Sequence, residues 1–195
     1  MAKQNEKSMS SVRILVECAL MVALAVVIDL LPIPKWPNGG SVSVKVIPLI
    51  FITYRHGTKW GLGTSFVFSV LTMLFGVSEP PVSNFAYYFL MIALDYVLAY
   101  TVMGLADVFA KPFRNKLVGY GVGAVCVNLL RFACSFLSGW IVWGVYAPEG
   151  QPAWLYSLLY NAGYMLPNAA LNAVLIVLLC LFVSPKTLRP MKARA

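Results

Sequence analysis

Charge is what this chain has least of. Only 11% of its 195 residues are Asp, Glu, Lys or Arg, while 60% are hydrophobic. That excludes an ordinary soluble domain, where about a quarter of residues are charged. Histidine is almost absent too: the single His56 sits beside Arg55 in an expected loop, and without clustered carboxylates it builds no metal site. The four cysteines, Cys18, Cys126, Cys134 and Cys180, lie inside apolar segments and form no C-x-x-C pair, so they read as buried structural thiols. No G-x-x-x-x-G-K-[ST] phosphate loop occurs, so the chain does not itself hydrolyse ATP in the usual way. Neither a nucleophile–histidine constellation nor paired carboxylates at useful spacing is present; catalytic residues and cofactors are therefore expected to be none, and the chain is not read as an enzyme. An internal repeat is missing as well, which weakens the case for a self-contained alternating-access carrier. The net charge of +8 comes without an aromatic-interleaved basic patch, so nucleic acid is not a partner.

What is there is length of apolar run. The runs imply one domain, residues 1–195: an all-α integral membrane protein of six transmembrane helices with polar tails at 1–12 and 185–195. No small-residue cleavage motif follows the first run, so it reads as a retained helix. The helices are expected near 14–31, 43–54, 60–75, 84–109, 117–146 and 153–183. Pro32, Pro34 and Pro37 end the first and Asn38-Gly39-Gly40 turns the chain. Pro48 is expected to kink the short second helix. The basic residues then sort by side. Lys3, Lys7, Arg13, Arg55, Lys59, Lys111, Arg114, Lys116, Lys186, Arg189, Lys192 and Arg194, 12 of the 15, fall on the face that holds both termini. The other face has Lys35, with Glu79 and Glu149, while Lys45 and Arg131 lie within expected helices. The positive-inside rule puts both termini in the cytoplasm.

The stretch from Asn128 to Tyr146 carries a stripe at four-residue spacing: Arg131, Ser135, Gly139 and Trp143. Ser135 and Gly139 alone suit a packing seam. A buried arginine usually has a partner and a task. Asp95, followed by Tyr96, is the other deep charge, and an Asp95–Arg131 pair would relieve the cost of burying either. In the last helix Trp154 and Tyr160 read as interfacial belt residues. Asn161 needs a bond across helices or to a ligand. With Trp36 and Tyr156 these residues could frame an aromatic, hydrogen-bonding cavity for a small heteroaromatic molecule.

This pattern resembles the substrate-binding S components of energy-coupling factor (ECF) transporters, most closely their thiamine-specific ThiT/YuaJ family. The motif is R-x-x-x-S-x-x-x-G-x-x-x-W, then a tyrosine and an asparagine in the last helix. The resemblance implies ligand contacts from Arg131, Gly139, Trp143, Tyr156 and Asn161, with Asp95-Tyr96 where the family has Glu-Tyr. It also implies one from Trp36, in the loop that carries a contacting tryptophan. Ser135 stands where the family has histidine, and Asp95 is one methylene shorter than glutamate; both are compatible with altered thiamine binding, or with its pyrimidine precursor or a related compound. The resemblance further implies capture of the vitamin outside a bacterial cell membrane. Delivery would require a T component (EcfT) and two cytoplasmic ATPases (EcfA and EcfA′). Ala19 and Ala23, one small-xxx-small spacing in the first helix, would dock on the T component. Two rival classes stay open: a self-sufficient carrier or channel, and a membrane enzyme or assembly factor.

Overall fold

The computed structural model describes residues 2–34, 36, 37 and 39–187, with side chains from Ser11 onward. The side chains of Lys3 and Lys7, and Lys35, Asn38, Arg189, Lys192 and Arg194, which entered the expectations above, lie outside the described residues. Helices carry the fold: α1 (Ala2–Asp29), α2 (Ile47–His56), α3 (Thr58–Leu74), α4 (Phe85–Ala110), α5 (Lys116–Ile141) and α6 (Ala153–Phe182). The apolar part of α1 (Ser11–Asp29), together with α4, α5 and α6, is long and apolar enough to cross a membrane.

Burial is arranged for lipid. Large apolar side chains such as Leu20, Val27, Phe66, Phe85, Leu159 and Phe182 lie exposed on the outside of the bundle. An apolar exterior of this extent is stable against hydrocarbon and not against water. The interior is built around α2, whose residues from Pro48 to Tyr54 are all buried. Leu49, Ile50 and Tyr54 of α2 pack with Val22 and Ala25 of α1, Phe68 of α3, Tyr100 and Met103 of α4, Val127 of α5 and Ile176 of α6. Close approach depends on missing side chains. A Cβ on Gly61 would overlap Thr53, and one on Gly104 would overlap the backbone at Leu62. Buried amides add cross-ties: Asn172 donates to Asn128 across α5 and α6 at 3.3 Å.

Two expected boundaries that bear on the site move. The second helix begins at Ile47, not 43, because 41–44 lies outside any helix; Pro48 therefore sits in the first turn, where its missing N–H breaks no helical bond, and does not kink α2. Lys45 falls in the turn before α2 and not within a helix. The fifth helix stops at Ile141 instead of continuing to 146. The Trp143 N–H shares the Ser138 carbonyl at 3.3 Å, and a short 3-10 turn, Gly144–Tyr146, follows. The expected stripe is therefore broken at Trp143, which lies beyond the regular helix.

α4 is not regular either. It changes to π-helical geometry over Ile92–Leu98 and to 3-10 geometry over Val102–Leu105. Such insertions concentrate at functional sites, since the extra residue per turn redirects side chains. Asp95 lies in the π segment.

Candidate functional site

At the end of the bundle opposite the chain termini, a cavity of about 410 Å³ opens among α1, the 30–46 connection, α3, α4, α5 and α6. That volume suits a small organic solute.

Asp95 provides its best-organised polar group. Ser138 Oγ donates to Asp95 Oδ2 at 2.5 Å, and Trp143 Nε1 donates to the same oxygen at 3.2 Å. Both donors fall on one oxygen, so the other is left for a donor or cation in the cavity. The break at the end of α5 makes this possible, because it turns the Trp143 indole back toward α4. Tyr96, next to Asp95, accepts from the Ser78 backbone at 3.0 Å and so ties α4 to the connection after α3.

The expected Asp95–Arg131 ion pair does not form. Asp95 is engaged at the level of Ser138, seven residues beyond Arg131 and so about 10 Å along the helix axis. Arg131 turns instead to Tyr100, its guanidinium carbon 4.9 Å from the ring centroid, and its Nε is buried with no hydrogen-bond partner. On the same ring, at 5.2 Å, sits Lys45 Nζ, which also bonds Asp29 Oδ1 at 2.6 Å.

Of the residues expected at the site, Asp95, Tyr96, Arg131, Ser135, Gly139, Trp143, Tyr156 and Asn161 all line the cavity. Trp36 does not. It is 40% exposed and packs beside the cavity wall on α6, edge-on to Tyr160 at 5.6 Å and against Gly163, where a Cβ would come within 2.8 Å of the indole. Asn161 is committed to holding helices together: its amide nitrogen donates to the Ser135 carbonyl at 3.3 Å and the Ser157 carbonyl at 2.9 Å, and its oxygen accepts from Tyr164 at 2.8 Å. A Cβ on Gly139 would overlap Ser157, so the packing-seam reading accounts for that glycine. Tyr160, read as a belt residue, instead lines the cavity and donates to the Gly39 carbonyl at 2.8 Å; Trp154 is exposed. Ala19 and Ala23 are exposed on α1.

Sequence reasoning missed Asp29, Ser41, Ser43, Lys45, Tyr100 and Tyr164, all of which line the cavity. One signal was available. Ser41-Val42-Ser43-Val44-Lys45-Val46 alternates polar and apolar, the period of an extended segment with one polar face. Asn168 fixes that segment, accepting from the Ser43 N–H at 2.8 Å and donating to the Ser41 carbonyl at 2.7 Å. Gly40, at φ 86°, lies flat against the Tyr164 ring, where neither the conformation nor the space admits a side chain.

A shell of lipid-facing helices around a polar, aromatic-walled pocket defines a membrane protein that holds a small solute. The sequence narrows the class. The family described as "Thiamine transporter protein" matches residues 15–188, and the chain belongs to that family, one of transporters and not of enzymes. It is 36% identical to the thiamine transporter ThiT of Bacillus subtilis over 191 residues, covering 92% of this chain and 95% of that one. A second relative, ThiT of Lacticaseibacillus paracasei, is 27% identical over 183 residues, 89% of each chain. The fold matches a solved structure of ThiT from Listeria monocytogenes with a TM-score of 0.74 at 23% identity, covering 93% of this chain and all of that one.

Proposed function

We propose that this chain is the substrate-binding S component of an ECF-type transporter, capturing thiamine outside a bacterial cell for ATP-driven uptake. The observation that carries the reading is the Asp95 carboxylate, held on one oxygen by Ser138 and Trp143 and open on the other, in an aromatic-walled cavity. Thiamine is an aromatic cation with an aminopyrimidine donor, and an oriented carboxylate beside an indole offers complementary charge and a π face. Trp143, Tyr96 and Tyr156 provide aromatic surface, Arg131 and Ser135 hydrogen bonds. Gly139 and Asn161 set the spacing between α5 and α6 that shapes the pocket.

The loop charges support six crossings with both termini cytoplasmic, which turns the cavity outward. Without a phosphate loop the chain needs partners for energy, a T component and two cytoplasmic ATPases. The exposed Ala19 and Ala23 offer the first of these a flat helix face for close packing.

The test is titration of the purified protein with thiamine, following tryptophan fluorescence. Saturable quenching that is competed weakly by the pyrimidine precursor supports the reading. No response to thiamine, or tighter binding of the precursor, rejects thiamine as the ligand.

A further inference from the structure

Away from the cavity, the seam between α3 and α4 holds hydroxyls that bond to nothing in the protein. Ser65 and Ser69 of α3 are 0% exposed. Their Oγ atoms, and Thr101 Oγ1 of α4, are buried without a hydrogen-bond partner. Other helical hydroxyls of this bundle behave differently. Thr53, Thr64 and Thr72 each donate to the carbonyl four residues back, at 2.7, 2.7 and 3.0 Å. That back-bond is the local way for a helical hydroxyl to satisfy itself where solvent is scarce. Ser65, Ser69 and Thr101 do not take it, and an unpaired buried hydroxyl is costly.

The backbone brings these three to facing surfaces. α4 comes against α3 at Gly104, where a Cβ would overlap the Leu62 backbone. Ser65 and Ser69 lie three and seven residues after Leu62, so they continue its face of α3. Thr101 lies three residues before Gly104. The 3-10 geometry of Val102–Leu105, in which residues three apart eclipse, keeps it on the face of Gly104. Next to it, Tyr100 meets Phe68 of α3 edge-on at 5.1 Å, which fixes the two helices at this level. Thr58 Oγ1, also buried without a partner, stands at the start of α3, on the other side of the Gly104 contact.

None of the three hydroxyls lines the ligand cavity. Together they offer three donors and the matching acceptors, with no charge. A guest for such a seam is neutral, small, and able both to donate and to accept. Buried water is held by two to four polar groups of this kind.

We propose that Ser65, Ser69 and Thr101 form a water-binding site between α3 and α4, separate from the ligand cavity, in which ordered water bridges the two helices. It does for this seam what the Asn172–Asn128 bond does directly between α5 and α6. The water ties the regular α3 to the part of α4 where helical geometry changes.

Ser65→Ala, Ser69→Ala and Thr101→Val, singly and in pairs, test this by thermal unfolding of the purified protein. Each single variant should lower Tm by about 2–4 °C, because it leaves the water short of a partner. Each pair should lower it by less than the sum, since the hydroxyls share the same water. A rise or no change in Tm means that the seam is dry, where deleting an unpaired hydroxyl costs nothing, and overturns the proposal. Strictly additive falls mean that each hydroxyl is satisfied on its own helix, and overturn it as well. If one variant fails to fold, the other two and their pair decide by the same signs.

Discussion

The two ends of this bundle handle charge in opposite ways. At the end near the termini, Glu17 of α1 takes Arg55 Nε at 2.5 Å, His56 Nε2 at 2.6 Å and Arg13 Nε at 3.2 Å. Arg55 also donates to the Pro185 carbonyl at 2.9 Å, and Lys186 Nζ to the Arg55 carbonyl at 3.1 Å. These five charged or ionisable groups all meet partners of this same chain, which stitches α1, α2 and the segment after α6 together. At the cavity end, Arg131 Nε has no partner and Asp95 receives two bonds on one oxygen. Buried charges left short of partners are costly, and a fold keeps them where a ligand completes them. The contrast teaches that the number of charges does not locate a site; their unfinished bonding does.

That contrast can be broken or sharpened by substitution. The largest effect is expected away from both clusters, on the exposed face of α1. Ala19→Trp with Ala23→Trp should abolish thiamine uptake by cells while the purified protein still binds thiamine; surviving uptake would remove this face from docking, and lost binding would make the alanines internal packing. Next comes Asp95→Asn, which should weaken thiamine binding by about a hundredfold to a thousandfold or more, since removing one partner of a buried charged contact costs about 3–5 kcal/mol. Normal affinity in a calorimetric titration would make the carboxylate structural. Trp143→Ala, which deletes both an indole face and a donor to Asp95, should cost about tenfold or more.

Glu17→Gln should act on stability instead, lowering the unfolding free energy by about 1–3 kcal/mol, the worth of hydrogen bonds to a charged group, with thiamine affinity unchanged. A thermal-shift assay beside a binding titration reads both, and an altered affinity would erase the distinction between the two ends. Trp36→Ala should be the mildest for binding, about threefold or less, because the indole is not among the residues that line the cavity and acts through its packing on Tyr160 and Tyr164. A loss as large as that of Trp143→Ala would place Trp36 on the ligand.

The apolar runs, and with them an all-helical membrane protein, were legible in the residues alone, because hydrocarbon admits only helices or closed barrels and runs of this length suit helices. Part of the cavity wall, that contributed by α4, α5 and the start of α6, was legible too. Arg131 and Asp95 announce themselves as charges in apolar surroundings, and Trp143, Tyr156 and Asn161 follow at recognisable spacing. What a single sequence could not decide was which partner each polar group takes. Asp95 goes to Ser138 and Trp143 because a π segment in α4 and a broken end of α5 redirect two side chains that regular helices would have pointed elsewhere. Lys45 reaches Asp29 and Tyr100 because Asn168, more than 120 residues away in sequence, pins the non-helical segment before it against α6. Local periodicity places residues on faces, whereas departures from it, and bonds between distant segments, arise only once the helices pack.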